Sequence, residues 1–596
     1  MGTKFFISVF FCLCFAGNYL CADSDIPLKP VAYPSEWELD SKFYLLKNEI
    51  MHQAIGFYGT TRGIKEAKLI LDLPEGMELV YAFHTPTGNG RPTYQLKEPI
   101  LCKPFKRGKK LYKRCVIPLR EDLLKKGVAK NSPSQWTYLN LFLYFKSNLS
   151  SGKSKLYYYT EVNGKKGKEK VLECIFLPPL EKITLPEKIK FYAICSGDLS
   201  CPNKEVWEGL YSLYNKIGIK GCYQHFPAYI SKELAKRDWL ILGDVGYGWD
   251  GWWVYSPQEV IKPGIKPDEI RVTLRNGKKS KNPRIICPTY LIENGENGKP
   301  FFELLKKRVK GRVSVSGVGG IFDDFEQEWF REHSAINSCF CPRCRKAFFE
   351  YSGIETEKLS PEEILSKYKE QWFNFRVWQN SQMVRILSEV IKEVNPKLKF
   401  ILCSAPITWG RLPQQGFDIR TFDQYIDEFW PMAYETNMAL MYIVDATVKV
   451  FNKPVIPILN TCYPFREHNA FPPDEVMMNI LASVTSGAKG IAFFTGTTSL
   501  DGAYIKAIAQ AEEKIAPLEN FFIDGVRDDS LAKIEVKEWN GIRHRVHRLG
   551  QCLLLSLFNY SPKEDAFLKI TLPQIENGNF FLYEPTEKIL YLNSER

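Results

Sequence analysis

Between Pro186 and Gly525 the chain repeats one pattern: a short apolar run ending in polar or aromatic residues, then a segment whose apolar positions recur at helical spacing. The runs are 189–196, 219–225, 239–244, 313–324, 398–404, 429–434, 455–460 and 490–495. Helix-period segments separate them, among them 205–217, 301–309, 361–394 (closed by Asn395-Pro396) and 473–486 before Gly487. Continuous apolar runs joined by helices are what a parallel sheet covered on both faces requires. Eight such units predict an α/β fold, a (β/α)8 TIM barrel over 186–525.

A chain of 596 residues exceeds one hydrophobic core. Residues 36–180 alternate in aromatic strands such as Trp136 to Tyr144 and Lys155 to Thr160, with Asn163-Gly164 as a hairpin turn, and predict an N-terminal β-sandwich. Pro178, Pro179 and Pro186 punctuate the linker to the barrel. After Gly525 strand-like runs return at 532–539, 552–558 and 567–572, a small C-terminal β domain over 526–596.

The first 22 residues read as a secretory leader: Lys4, an apolar run from Phe5 to Ala16, and small Ala22 before Asp23. Secretion, or release to a periplasm or cell surface, is the expected fate. Lipidation at Cys21 fits less well, because Asn18-Tyr19-Leu20 lacks the small residues of a lipoprotein signal. No later segment offers about twenty unbroken apolar residues, so no integral membrane association is expected. The net charge of +12 gathers in clusters such as Lys106-Arg107-Gly108-Lys109-Lys110 and Lys165-Lys166, which read as solvated hairpin tips rather than a nucleic-acid surface. An anionic polysaccharide remains compatible with that charge.

Sixteen cysteines fall to an odd thirteen once Cys12, Cys14 and Cys21 leave with the leader. Cys102 and Cys115 flank a basic hairpin that a disulfide can bridge. Cys339, Cys341 and Cys344 instead have a spacing suited to one tetrahedral zinc ion, with Cys287 as the fourth ligand.

Barrel chemistry sits at the carboxyl ends of the strands. The fourth run ends in Asp323-Asp324-Phe325-Glu326, and period two puts Asp324 and Glu326 on one side, where paired carboxylates raise one pKa and keep an acid protonated. The segment from Gly243 to Tyr255 carries Asp244, Trp249 and Asp250, suited to sugar faces and hydroxyls. His225 after the second run, Trp409 after the fifth, Tyr434 and Glu435 after the sixth, and Tyr463, Arg466 and His468 after the seventh converge on the same face.

These motifs resemble glycoside hydrolase family 42, mainly β-galactosidases. That family has a Cys-Pro segment after strand three, an Asp-Asn-Glu at the end of strand four, and then Cys-x-Cys-x-x-Cys ahead of an aromatic-containing helix. Here they stand as Cys287-Pro288-Thr289, Asp324-Phe325-Glu326 and Cys339 to Cys344 followed by Ala347-Phe348. The resemblance implies Glu326 as acid/base and a structural zinc held by the four cysteines. The sequence departs from that pattern at Phe325, where the family has Asn, and at 455–462, which has no nucleophilic Glu. A second resemblance, to family 18 chitinase-like barrels, rests on Asp324-Phe325-Glu326 and Met432-Ala433-Tyr434-Glu435. It implies Glu326 as acid, with Asp324 and Tyr434 positioning a substrate N-acetyl group that acts as nucleophile. A third route keeps both groups in the protein, with Glu326 as acid and Glu435, Asp324 or Asp244 as nucleophile or base.

The expected function is a secreted glycoside hydrolase acting on an oligo- or polysaccharide, with no organic cofactor. The alternative is a carbohydrate-binding protein that kept the barrel without catalysis. A zinc-dependent hydrolase fits poorly, because an all-thiolate site has no open position for water.

Overall fold

The computed structural model describes residues 26–592 apart from 34, 36–40, 85–93, 131–137, 195–196, 224–227, 246–254, 297, 315–316, 326–333, 356–357, 409–410, 413–415, 436, 462–470, 495–499, 537–540, 561–567, 573–579 and 583–589. The segment 1–22, read from the sequence as a leader, therefore lies outside the described residues.

Residues 28–177 build two stacked sheets. The first is antiparallel, in the order Leu28–Tyr33, Met51–Gly59, Leu141–Ser147, Met77–His84, Tyr94–Gln95. The second runs Lys42–Leu46, Lys170–Leu177, Lys153–Val162, Ala67–Pro74, Lys110–Pro118, Leu101–Arg107, with its first pair parallel and the rest of this path antiparallel. Alternation sends Leu172, Cys174 and Phe176 of one strand into the space between the sheets. There Phe43 meets Phe145 edge to face at 5.7 Å across the sandwich. Asn163 and Gly164 both take positive φ in the hairpin turn, the conformation that turn demands. Cys102 and Cys115 are direct cross-strand neighbours joined by a disulfide, which staples the edge strand to the sheet.

The barrel is closed and parallel: β1 (Lys190–Ile194), β2 (Ile219–Tyr223), β3 (Leu240–Gly243), β4 (Val318–Phe325), β5 (Lys399–Ser404), β6 (Glu428–Ala433), β7 (Ile458–Asn460) and β8 (Gly490–Phe494), with β8 paired to β1. The crossover helices that matter below are α1 (Lys204–Lys216), α2 (Pro288–Gly295), α3 (Pro300–Val313), α4 (Pro342–Ser352), α5 (Lys369–Val394), α6 (Asn437–Val448) and α7 (Gly502–Ile515).

Three details differ from the sequence expectation. Val313 ends α3 instead of opening β4, which begins five residues later, after Gly317 at a φ of 101° has turned the chain. The long helix 361–394 is two helices, broken at Tyr368, whose φ of −132° lies outside the helical range. β7 is short because Pro457 has no N–H to give the ladder, and Val455 makes only an isolated bridge with Phe429.

Among the described C-terminal strands, Ile542–Leu549 and Cys552–Asn559 form a hairpin, and Lys533–Val536 pairs with Leu568–Thr571. Arg527 and Arg545 from this region both bind the Asp445 carboxylate on α6, fastening the strands to the barrel. The second N-terminal sheet docks on the other side. Asp501 caps α7 through the Ala503 and Tyr504 N–H groups, and its Oδ2 accepts from the Tyr44 N–H at 3.2 Å.

Candidate functional site

Period-two alternation decides what enters the barrel. Tyr192, Tyr223, Leu242, Phe322, Trp430 and Ile458 fill the lumen, with Tyr223 stacked on Phe322 at 4.3 Å. Two residues beyond Phe322, on the same side and toward the carboxyl end, stands Asp324. The same count places Asn460 beyond Ile458, Tyr434 beyond Met432 and Phe494 beyond Ala492, so these side chains share the mouth of the barrel. Phe325 points the other way, into the helix-facing core, stacked on Phe417 at 4.9 Å. A Phe at this position thus supports the strand end from behind.

Asp324 is partly exposed at the mouth, but its Oδ1 is shielded from water and, among the described residues, has no hydrogen-bond partner. Burial pushes its pKa up to about 6; a hydrogen bond from the Cys403 thiol on neighbouring β5 opposes that, and the charges of Asp323 and Asp244 add to it. Asp244, which follows β3, has the opposite surroundings. Its Oδ2 accepts from the Tyr223 hydroxyl at 3.0 Å, its Oδ1 from Arg312 Nη2 at 3.1 Å, and its carbonyl oxygen from Arg312 Nε at 2.5 Å. Among the described residues, one carboxyl thus has no cation beside it and the other is clamped by a guanidinium. Environments that differ in this way suit two carboxyls to different roles.

Of the remaining residues singled out in the sequence, Tyr434 stacks on Phe494 at 5.4 Å, and Glu435 follows it beyond the end of β6, half-exposed. Glu326, His225, Trp249, Asp250 and Trp409 lie outside the described residues, as do Tyr463, Arg466 and His468. Arg312, Cys403 and Asn460 were not anticipated. Arg312 looks like an ordinary basic residue in the last turn of a helix, and its partner lies 68 residues away. Cys403 and Asn460 carried a usable signal: each ends an apolar run at a lumen-facing position. The Asn460 Oδ1 is buried without a hydrogen-bond partner.

Behind β4 lies a second cluster. Cys287, which precedes α2, joins Cys339, Cys341 and Cys344 at the start of α4, all four buried, with their sulfurs within 4.8 Å of one another. The closest pairs, Cys287 with Cys344 and with Cys341, are 3.4 and 3.5 Å apart. A tetrahedral thiolate centre with metal–sulfur bonds of about 2.3 Å has sulfurs roughly 3.8 Å apart, so the set fits one metal ion and leaves no open coordination position. The thiols are also mutually frustrated without a cation: burial raises Cys287 and Cys344, while hydrogen bonds from Cys287, Cys339 and Cys344 lower Cys341.

No protein-family model matches the chain. No curated protein matches it either. The solved structures it is similar to are glycoside hydrolases. They include a β-galactosidase from Bacillus circulans sp. alkalophilus (12% identity, 58% of each chain covered, TM-score 0.39). Another is a catalytic mutant of a GH42 β-galactosidase from G. stearothermophilus (10% identity, 57% of this chain and 58% of that one, TM-score 0.41). A third is a family 39 glycoside hydrolase from the gut symbiont Bacteroides cellulosilyticus WH2 (8% identity, 87% and 89% covered, TM-score 0.34). The chain spans somewhat under three fifths of the length of these two β-galactosidases.

Proposed function

We propose that the protein is a glycoside hydrolase that cleaves O-glycosyl bonds in an oligo- or polysaccharide, with Glu326 as general acid/base. The observation that carries this reading is the Asp324 carboxyl at the barrel mouth, its Oδ1 shielded from water and its pKa pushed up to about 6 by burial, near the arginine-clamped Asp244. On the period-two count of an extended strand Glu326 would share the side of Phe322 and Asp324, and that count is what supports assigning it to the same cleft; Glu326 itself lies outside the described residues. In this reading Asp324 shares a proton with Glu326 and keeps it available to the leaving oxygen, and Asp244 or Glu435 supplies the second carboxyl. Tyr434, Asp244, Trp249, Asp250, His225 and Trp409 are the residues assigned to sugar binding in this reading. The four cysteines hold a structural zinc that pins the segment after β4. Export follows from the leader-like N-terminus. Among the described residues no helix is long and apolar enough to cross a membrane.

One observation favours a second reading, a carbohydrate-binding protein without turnover: the lumen position at the end of β7 is Asn460, not a carboxylate. A panel of aryl glycosides and plant, algal and bacterial polysaccharides separates the two. Release of reducing ends by the wild type, abolished in Glu326→Gln, supports hydrolysis; retention of a polysaccharide without any turnover supports the second reading.

A further inference from the structure

Three of the four sulfurs of the cysteine cluster have a hydrogen-bonding group at short range, and the fourth has a cation beside it. The Thr273 N–H reaches Cys339 at 3.3 Å, the Cys344 N–H reaches Cys341 at 3.4 Å, and the Arg343 side chain lies beside Cys287. The Cys344 sulfur lies 3.1 Å from the Thr289 hydroxyl, and behind that hydroxyl stands a chain of side chains from α5. Gln379 Nε2 donates to Thr289 Oγ1 at 2.6 Å, and Arg376 Nη1 donates to Gln379 Oε1.

The direction of this chain is fixed by chemistry. Arginine has donors only, so the Gln379 oxygen must face it and the Gln379 amide nitrogen must face Thr289. The Thr289 oxygen then accepts from Gln379, which leaves its single proton for the Cys344 sulfur. Every link thus points positive charge toward a sulfur. Four thiolates around a divalent ion carry a net charge of −2, and such a centre is expensive to bury without counter-charge. Arg376 is fully buried and supplies one positive charge; Arg343, partly buried beside the cluster, is shared with Glu293 at 3.6 Å and supplies part of a second.

We propose that Arg376, Gln379 and Thr289 form a one-way relay that orients Cys344 and, together with Arg343, neutralises a divalent tetrathiolate centre. The inference rests on the structural-zinc reading above and adds the protein groups that hold the metal. These are positioning residues: they touch the ligands and no substrate. The sequence bears a trace of the arrangement, since Trp372, Arg376, Gln379 and Met383 form one buried stripe of α5 and its two middle members are polar.

The test uses the full chain purified without chelator, alongside Thr289→Val, Arg376→Met and Gln379→Glu. Bound zinc is measured by elemental analysis, and its release is followed with a chromophoric chelator in excess. Wild type should carry one zinc per chain. Thr289→Val, nearly isosteric and expected to fold, should lose zinc roughly 10- to 100-fold faster, and Arg376→Met at least as fast. Gln379→Glu, which cannot donate to Thr289, should match Thr289→Val. Cobalt substitution gives a readout independent of folding yield, because the thiolate-to-cobalt absorption shifts when a donor to sulfur is removed. If wild type holds zinc and Thr289→Val releases it at the same rate with the same cobalt spectrum, the relay is wrong while the zinc site stands. If wild type binds no zinc and all four thiols react freely with an alkylating agent, both fall.

Discussion

The barrel holds a buried carboxylate at each end, and the two are treated in opposite ways. Near its foot, Glu428 at the start of β6 is ion-paired with Lys399 and accepts from Trp430 Nε1 at 3.0 Å. At the mouth, Asp324 has no cation beside it among the described residues, and its Oδ1 has no hydrogen-bond partner among them. The foot satisfies its charge and the mouth leaves it exposed to whatever enters. A closed barrel can tolerate the second arrangement because the first, with the packed lumen between, keeps the strands in register.

The largest effect should come from exchanging these roles by mutation. Asp324→Asn should lower turnover by about 100-fold or more, with the unfolding midpoint unchanged or higher. Glu428→Gln should leave turnover within a few fold and reduce stability by about 1 to 2 kcal/mol, measured by urea titration, since the Lys399 ammonium is left with partial access to water. Equal activity losses in the two variants would abolish the distinction.

The contrast sharpens with pH. Asp324 has a folded pKa of about 6, above its ordinary value near 4, so the folded state binds its proton more tightly than the unfolded one. The stability it contributes is fully present below about pH 4 and is lost as pH rises through about 6. Relative to Asp324→Asn, the wild type should therefore lose about 2 to 3 kcal/mol between pH 4 and pH 8. A flat difference curve would show that the carboxyl is solvated. The smallest effect is expected from Tyr223→Phe, which removes one donor from Asp244 while Arg312 remains: about 1 kcal/mol in stability or transition-state energy, read from kcat/KM.

The eight strands were legible because apolar runs in a parallel sheet need no partner information to be recognised. What escaped was polar and distant. The strand Ile542–Leu549 hides its alternation under basic and histidine residues (Arg543, His544, Arg545, His547 and Arg548). The β4 boundary was misplaced because Val313, the last residue of α3, opens an alternating Val-Ser-Val-Ser run in the sequence. Asp324 and Asp244 could be found from their positions after apolar runs, but not the clamp on Asp244: the Arg312 contact exists only once β3 and α3 are side by side. The four cysteines were readable from spacing, whereas the relay behind them needs the helix face of α5 set against α2.

The contact between Tyr44 and Asp501 has a consequence for how the molecule is made. Its two halves are 457 residues apart, so the strand that completes the cap of α7 leaves the ribosome long before α7 exists. The early sheets are in place to serve as a template on which the last turn of the barrel docks. The Asp501 carboxyl, pushed up to about 7 by its burial, is settled only when that docking is complete. A barrel excised at the linker would begin life with its closing helix undocked, and vectorial synthesis from the N-terminus spares the intact chain that state.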